Sequence, residues 1–148
     1  MTIRTAVITA AGYGTRFLPV SKAVPKEMLP LVDRPVIHYA VEQAVEAGIE
    51  RIVLITSEGK EAMEAYFHVS PALEAALQER ASVKLDEVRR VSRMAEIVPV
   101  IQEQPLGLGH AVLCAKEAVG GEPFIVYLPD EILLGTPSAT RQLLDAFE

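Results

Sequence analysis

Four short apolar runs without polar alternation punctuate the chain: Thr5 to Thr9 (TAVIT), Arg51 to Thr56 (RIVLIT), Ile97 to Gln102 (IVPVIQ) and Phe124 to Leu128 (FIVYL). Each is too short for a helix and rich in β-branched side chains, which predicts strands buried on both faces. Pro99 removes one ladder donor from the third and assigns it to a sheet edge or a bulge. Between the runs, apolar positions recur at helical spacing. Pro35 is placed as a first helical residue, Val36, Ile37, Ala40, Val41, Ala44 and Val45 share one face, and Gly48 closes the helix. Ser57 is placed to cap a helix through Phe67, and Ser70-Pro71 opens another carrying Leu73 and Leu77. The stretch 82–94 reads as a helix of mixed charge, a turn from Pro105 to Gly109 leads into a helix over 110–119, and Thr136-Pro137 opens the last. Strands alternating with helices predict an α/β fold: a Rossmann-like parallel sheet with helices on both faces, without internal repeat or linker.

In such a sheet, ligands sit beyond the carboxyl ends of the strands, where the strand order reverses. That edge collects the loops after Thr9, Gln102 and Leu128, which hold Gly12 to Arg16, Gly107 to His110, and Asp130. Gly12 and Gly14 allow a tight turn and an anion's approach to main-chain N–H groups, or are simply a turn. Behind them Thr15 and Arg16, and further on Lys26, add a hydroxyl, a planar fork and a point charge suited to phosphate. The string is not a P-loop, and Phe17 stands where a dinucleotide fingerprint needs glycine. Asp130, after Pro129, is either a turn residue or a hard oxygen ligand for Mg²⁺. Gln102 carries both a donor and an acceptor and by itself reads as a strand-end polar residue; Gly107 and Gly109 either leave room for a flat base against the backbone or form a plain helix-entry turn. His110 is read as a helix-opening histidine satisfied by a nearby carbonyl, with no acid–base role, and Cys114 as a small core residue. Arg89, Arg90 and Arg93 lie among Asp86, Glu87 and Glu96 and are read as a solvated helix face.

The full string Gly-x-Gly-Thr-Arg, followed by Pro25-Lys26-Glu27-Met28-Leu29-Pro30, resembles the signature of the sugar-1-phosphate nucleotidyltransferases. The likeness continues through LVDRPVIHYAVEQAVEAGI, QEQPLGLGHAVLCA and LPDEIL, and is strongest to the UTP–glucose-1-phosphate uridylyltransferase branch. It implies Mg²⁺-dependent transfer of uridylyl from UTP to glucose 1-phosphate, giving UDP-glucose and pyrophosphate. By the same resemblance Arg16 and Lys26 hold the leaving pyrophosphate, Ala10, Ala11 and Gly12 give backbone contacts to the nucleoside, and Gln102 reads the base. Asp130 is then the metal ligand, while Glu131 stands where relatives carry Asp. Glu27 either accepts from the base or holds Lys26. Two other readings stand beside this one: a nucleotide-binding module without catalysis, and a thymidylyltransferase, although the latter usually shows Lys-Gln-Leu-Leu-Pro. The resemblance also implies relatives about twice this long, whose second half supplies the sugar pocket. On that reading residues 1–148 are the nucleotide-binding half, and the C-terminal sugar-binding half is absent.

Composition narrows the partners. A net charge of −6 over 148 residues speaks against nucleic acid, whose binding needs a basic face, but not against a nucleotide. No apolar run approaches the ~20 residues of a membrane span. The single cysteine forms no internal disulfide, so cytoplasm is the expected compartment. Sheet and helix faces lacking their second half lead us to expect a homo-oligomer.

Overall fold

Every predicted strand is present, and all four join one parallel sheet. The computed structural model describes residues 2–147. The strands are β1 (Thr5–Thr9), β4 (Arg51–Thr56), β5 (Glu96–Ile101) and β6 (Phe124–Tyr127), in the order β5-β4-β1-β6. Thr5 pairs with Arg51 on one side and with Phe124 on the other, so β1 and β4 are the inner strands. Pro99 lies on the edge strand β5, where its missing N–H leaves no inner ladder incomplete. A two-stranded hairpin, β2 (Pro30–Leu31) with β3 (Arg34–Pro35), lies outside the sheet.

Alternation along β1 and β4 divides the core in two. Ala6, Ile8, Ile52 and Leu54 pack against α1 (Val36–Glu46), α2 (Glu61–Phe67) and α7 (Ala139–Phe147), through Ile37, Val41, Met63, Phe67 and Leu144. Val7, Val53 and Ile55 pack on the other face against Ala111, Ala115 and Val119 of the paired helices α5 (Leu108–Cys114) and α6 (Lys116–Val119). This burial on both faces is why β1 and β4 carry no polar alternation; β5 and β6, at the sheet edges, bury no residue completely, against the sequence reading. The remaining helices, α3 (Pro71–Glu79) and α4 (Leu85–Val91), bury no residue completely, and Arg89 is ion-paired to Glu74 at 2.8 Å.

Several boundaries differ from the sequence reading: of the stretch 82–94 only Leu85–Val91 is α-helical, and the last helix starts at Ala139, beyond Thr136-Pro137. Ser57 does not cap α2: its hydroxyl donates to the Ala11 carbonyl at 3.1 Å, and the helix starts four residues later at Glu61. The helix over 110–119 is two helices with a break at Ala115, whose Cβ side is buried against the sheet. Pro35 precedes α1 with extended backbone, so the first helical residue is Val36.

Candidate active site

The strand order reverses beside β1: the chain moves from β1 to β4 and β5 on one side, then returns to place β6 on the other. The loops after β1 and β6 therefore part at this point and leave a crevice between them. Two main-chain bonds pin the neighbouring loops to the end of β4: Ala10 N–H donates to the Ile55 carbonyl and Gln102 N–H to that of Thr56, each at 2.8 Å. A cleft of about 430 Å³ opens here, lined by Ala11, Gly12, Arg16, Lys26, Glu27, Gln102, Gly107, Asp130 and Glu131, with Leu108, Ala111 and Leu128 among its apolar walls. A further hollow of about 470 Å³ shares Ala11, Gln102 and Pro105 with it and extends over Ser57 to Gly59.

Three of the sequence candidates stand outside the cleft lining. Ala10 is buried, and Gly14 and Thr15 are not among the residues that line the cleft. Gly14 has φ +64°, and a Cβ there would come within 3.2 Å of Lys26 Cβ and 3.3 Å of Ser21 Cβ. Its missing side chain makes room for the Lys26 stem, so its part in the site is to let that lysine pack close. Gly12 differs: a Cβ there would meet nothing within 4 Å, which leaves its backbone open to the cleft.

Lys26 is held on a single 3-10 turn, Lys26–Met28, and donates to Asp130 Oδ2 at 2.8 Å across the crevice. Arg16 reaches the same oxygen at 3.9 Å, with its side chain 84% exposed. This hydrogen bond from Lys26 holds the Asp130 carboxyl below its ordinary value, and the nearby Arg16 charge acts in the same direction. The predicted phosphate groups and the predicted metal carboxylate therefore meet at one point. Gln102, buried, brings Nε2 to 2.8 Å from His110 Nδ1 and 3.3 Å from the Gly107 carbonyl. With the His110 proton on Nε2, both amide hydrogens of Gln102 are engaged and its Oε1 stays free to accept from a ligand. His110 is thus satisfied by a side chain where a carbonyl was expected, and Cys114 lies 3.9 Å from the same ring nitrogen.

Glu27 holds neither Lys26 nor an exposed place. It is buried and paired with Lys60 Nζ at 3.0 Å. Lys60, just before α2, is the residue the sequence reading missed. The loop after β4 ends on the same sheet edge as the other three, and a lysine in it is the signal that could have singled it out.

A second cavity, about 450 Å³, lies between the hairpin and α2 to α4, lined by Arg34, His38, Tyr66, Lys84 and Glu87 with Leu73, Val88 and Val91. Its cations are neutralised by neighbours, Arg34 by Glu42 at 3.3 Å and Lys84 by Glu87 at 2.7 Å. It holds none of the sequence candidates.

The chain is 50% identical over 147 residues to the UTP–glucose-1-phosphate uridylyltransferase of Bacillus subtilis (strain 168), a match covering 99% of this chain and 50% of the relative. Among solved structures it is similar to a UTP-bound UGPase from Acinetobacter baumannii, with 44% identity and a TM-score of 0.90, covering 99% of this chain and 53% of that one. It is also similar to a UDP-glucose pyrophosphorylase complexed with UDP-glucose, with 40% identity, a TM-score of 0.83 and the same coverage. The chain thus spans about half the length of the relatives it matches. Residues 5–148, which carry the whole sheet and every wall of the cleft, match the model of the nucleotidyl transferase family, and the chain belongs to that family.

Proposed function

We propose that this chain is the nucleotide-binding half of an enzyme that transfers uridylyl from UTP to glucose 1-phosphate, forming UDP-glucose and releasing pyrophosphate. One observation carries the reading: the switch-point cleft gathers Gly12, Arg16, Lys26, Gln102, Gly107 and Asp130 from three separate loops. The relatives' printed names and the UTP and UDP-glucose in two similar structures support it.

Nucleotidyl transfer asks little covalent chemistry of the protein; position and neutralised charge lower the barrier. The Gly12 backbone and the Gln102 Oε1 offer contacts to the nucleoside. A uracil N3–H is a donor and suits a free glutamine acceptor. Lys26 stands across the crevice from β6 and would take phosphate oxygens while Asp130 keeps its ammonium oriented. Arg16, loosely tethered, would close its fork on the phosphates. The donor chemistry also suits a divalent cation, for which we propose Mg²⁺. Asp130 and Glu131 offer hard oxygens, and among the described residues no group of three or more ligand-type side chains assembles. Asp130 would hold the ion with phosphate oxygens and water completing the shell, and the bound ion would neutralise charge on the phosphates. No helix among the described residues is long and apolar enough to cross a membrane.

Calorimetric titration of the chain with UTP, dTTP and ATP in the presence of Mg²⁺ tests this reading. Preference for UTP is expected; equal or absent binding of the three would overturn it.

A further inference from the structure

Lys60 is a buried cation that no step above uses. Its side chain is 10% exposed, and its ammonium donates to two groups from different elements: the Ala10 carbonyl at the end of β1, and Glu27 Oε2 on the turn that carries Lys26. Burial pulls this ammonium below the usual lysine value, and the Glu27 carboxylate pulls the other way. The second Glu27 oxygen, Oε1, is buried with no hydrogen-bond partner among the described residues. The charge of Glu27 therefore rests on Lys60. Turns as short as Lys26–Met28 have few bonds of their own: Met28 N–H donates to the Pro25 carbonyl at 2.8 Å and Leu29 N–H to that of Lys26 at 3.2 Å. A cross-brace is what such a turn lacks.

We infer that Lys60 is a positioning residue, which ties the loop after β1 to the Lys26 turn and so sets the separation between the Gly12 backbone and the Lys26 ammonium. This deepens the nucleotide reading and rests on it only for the ligand. Lys60 touches no substrate; it acts through Ala10 and Glu27. A neutral side chain at either position alone would strand the other's charge in the core. Removing both leaves no buried charge; the ties of the Lys26 turn and of the Ala10 carbonyl to Lys60 are lost.

The test uses the full chain in three forms: unaltered, Lys60→Met, and the double variant Lys60→Met with Glu27→Met. Thermal melting reports folding, amide hydrogen exchange in the free protein reports the brace, and UTP–Mg²⁺ titration reports its consequence. Lys60→Met is expected to melt lower, and the double variant to recover that melting temperature. In the double variant the amides of Met28 and Leu29 are expected to exchange at least about tenfold faster, while those of β4 keep their protection. Its UTP affinity is expected to stay about tenfold or more below that of the unaltered chain. Exchange at Met28 and Leu29 within about threefold of the unaltered chain would overturn the inference, and so would affinity that returns together with the melt. If the unaltered chain binds no UTP, the nucleotide reading fails by itself, and the exchange rates still decide whether Lys60 is a brace.

Discussion

Lys26 is the residue on which the local charge balance turns. Its side chain is 17% exposed, Gly14 is shaped around its stem, and Asp130 lies 2.8 Å from its ammonium. Replacing it by alanine removes the charged donor proposed for phosphate and also leaves Asp130 unopposed on that side of the cleft. Hydrogen bonds to charged groups contribute about 1.5–3 kcal/mol, so Lys26→Ala is expected to weaken UTP–Mg²⁺ binding about 10- to 150-fold. Arg16→Lys should weaken it less, because Arg16 is mostly solvated before the ligand arrives and loses only the two-point contact. Titration of the two variants checks the order; a loss below about threefold for Lys26→Ala would remove it from the phosphate site. Much of this site was legible at the level of single residues. Glycine, lysine, arginine and aspartate at the ends of buried strands carry their chemistry openly. Lys60 was hidden because its role comes from burial against Glu27, thirty-three positions earlier, and no local spacing records that.

At the scale of elements, the apolar runs were readable because β1 and β4 are buried on both faces, which leaves an unbroken hydrophobic string. Helix starts were harder to read. Ser57 carries a capping side chain, but the Ala11 carbonyl competes for its hydroxyl and wins. The β2–β3 hairpin, of only two residues per strand, has no periodicity to find. Helix α1 shows a second consequence of packing. His38 on its buried face lies 2.9 Å from the Tyr66 hydroxyl through Nδ1, while Nε2 is 3.4 Å from Arg34 and 3.7 Å from Glu42. Burial lowers its pKa, against the opposing effect of the Glu42 charge. A histidine that is neutral in the fold and titrates near 6.5 when unfolded contributes stability that is complete above about pH 6.5 and is lost as pH falls toward its lowered folded value. Thermal melting between pH 7.5 and 5.5 should therefore show a decline that His38→Gln flattens. An unchanged pH slope in that variant would contradict the assignment.

For the whole molecule, the proposed nucleotide cleft lies in a chain that spans about half the length of the relatives it matches. Holding an acceptor in line contributes ~7–11 kcal/mol to such transfers. We therefore expect the chain alone to form little UDP-glucose in a pyrophosphate-release assay, and turnover near the ~10 s⁻¹ usual for enzymes would show that it builds a complete site. The outer side of β6 carries exposed Val126, Leu128, Leu133 and Leu143, an apolar strip on which we propose self-association. We propose that the cleft at the strand-order reversal holds the nucleotide, and not the cavity of nearly equal volume between the hairpin and α2 to α4. Amide-resolved NMR titration of the chain with UTP and Mg²⁺ tests it directly. The largest shifts are expected at Ala11, Gly12, Lys26, Gln102, Gly107 and Asp130. Shifts concentrated instead around His38, Tyr66, Lys84 and Val88 would place the ligand in the other cavity and contradict it.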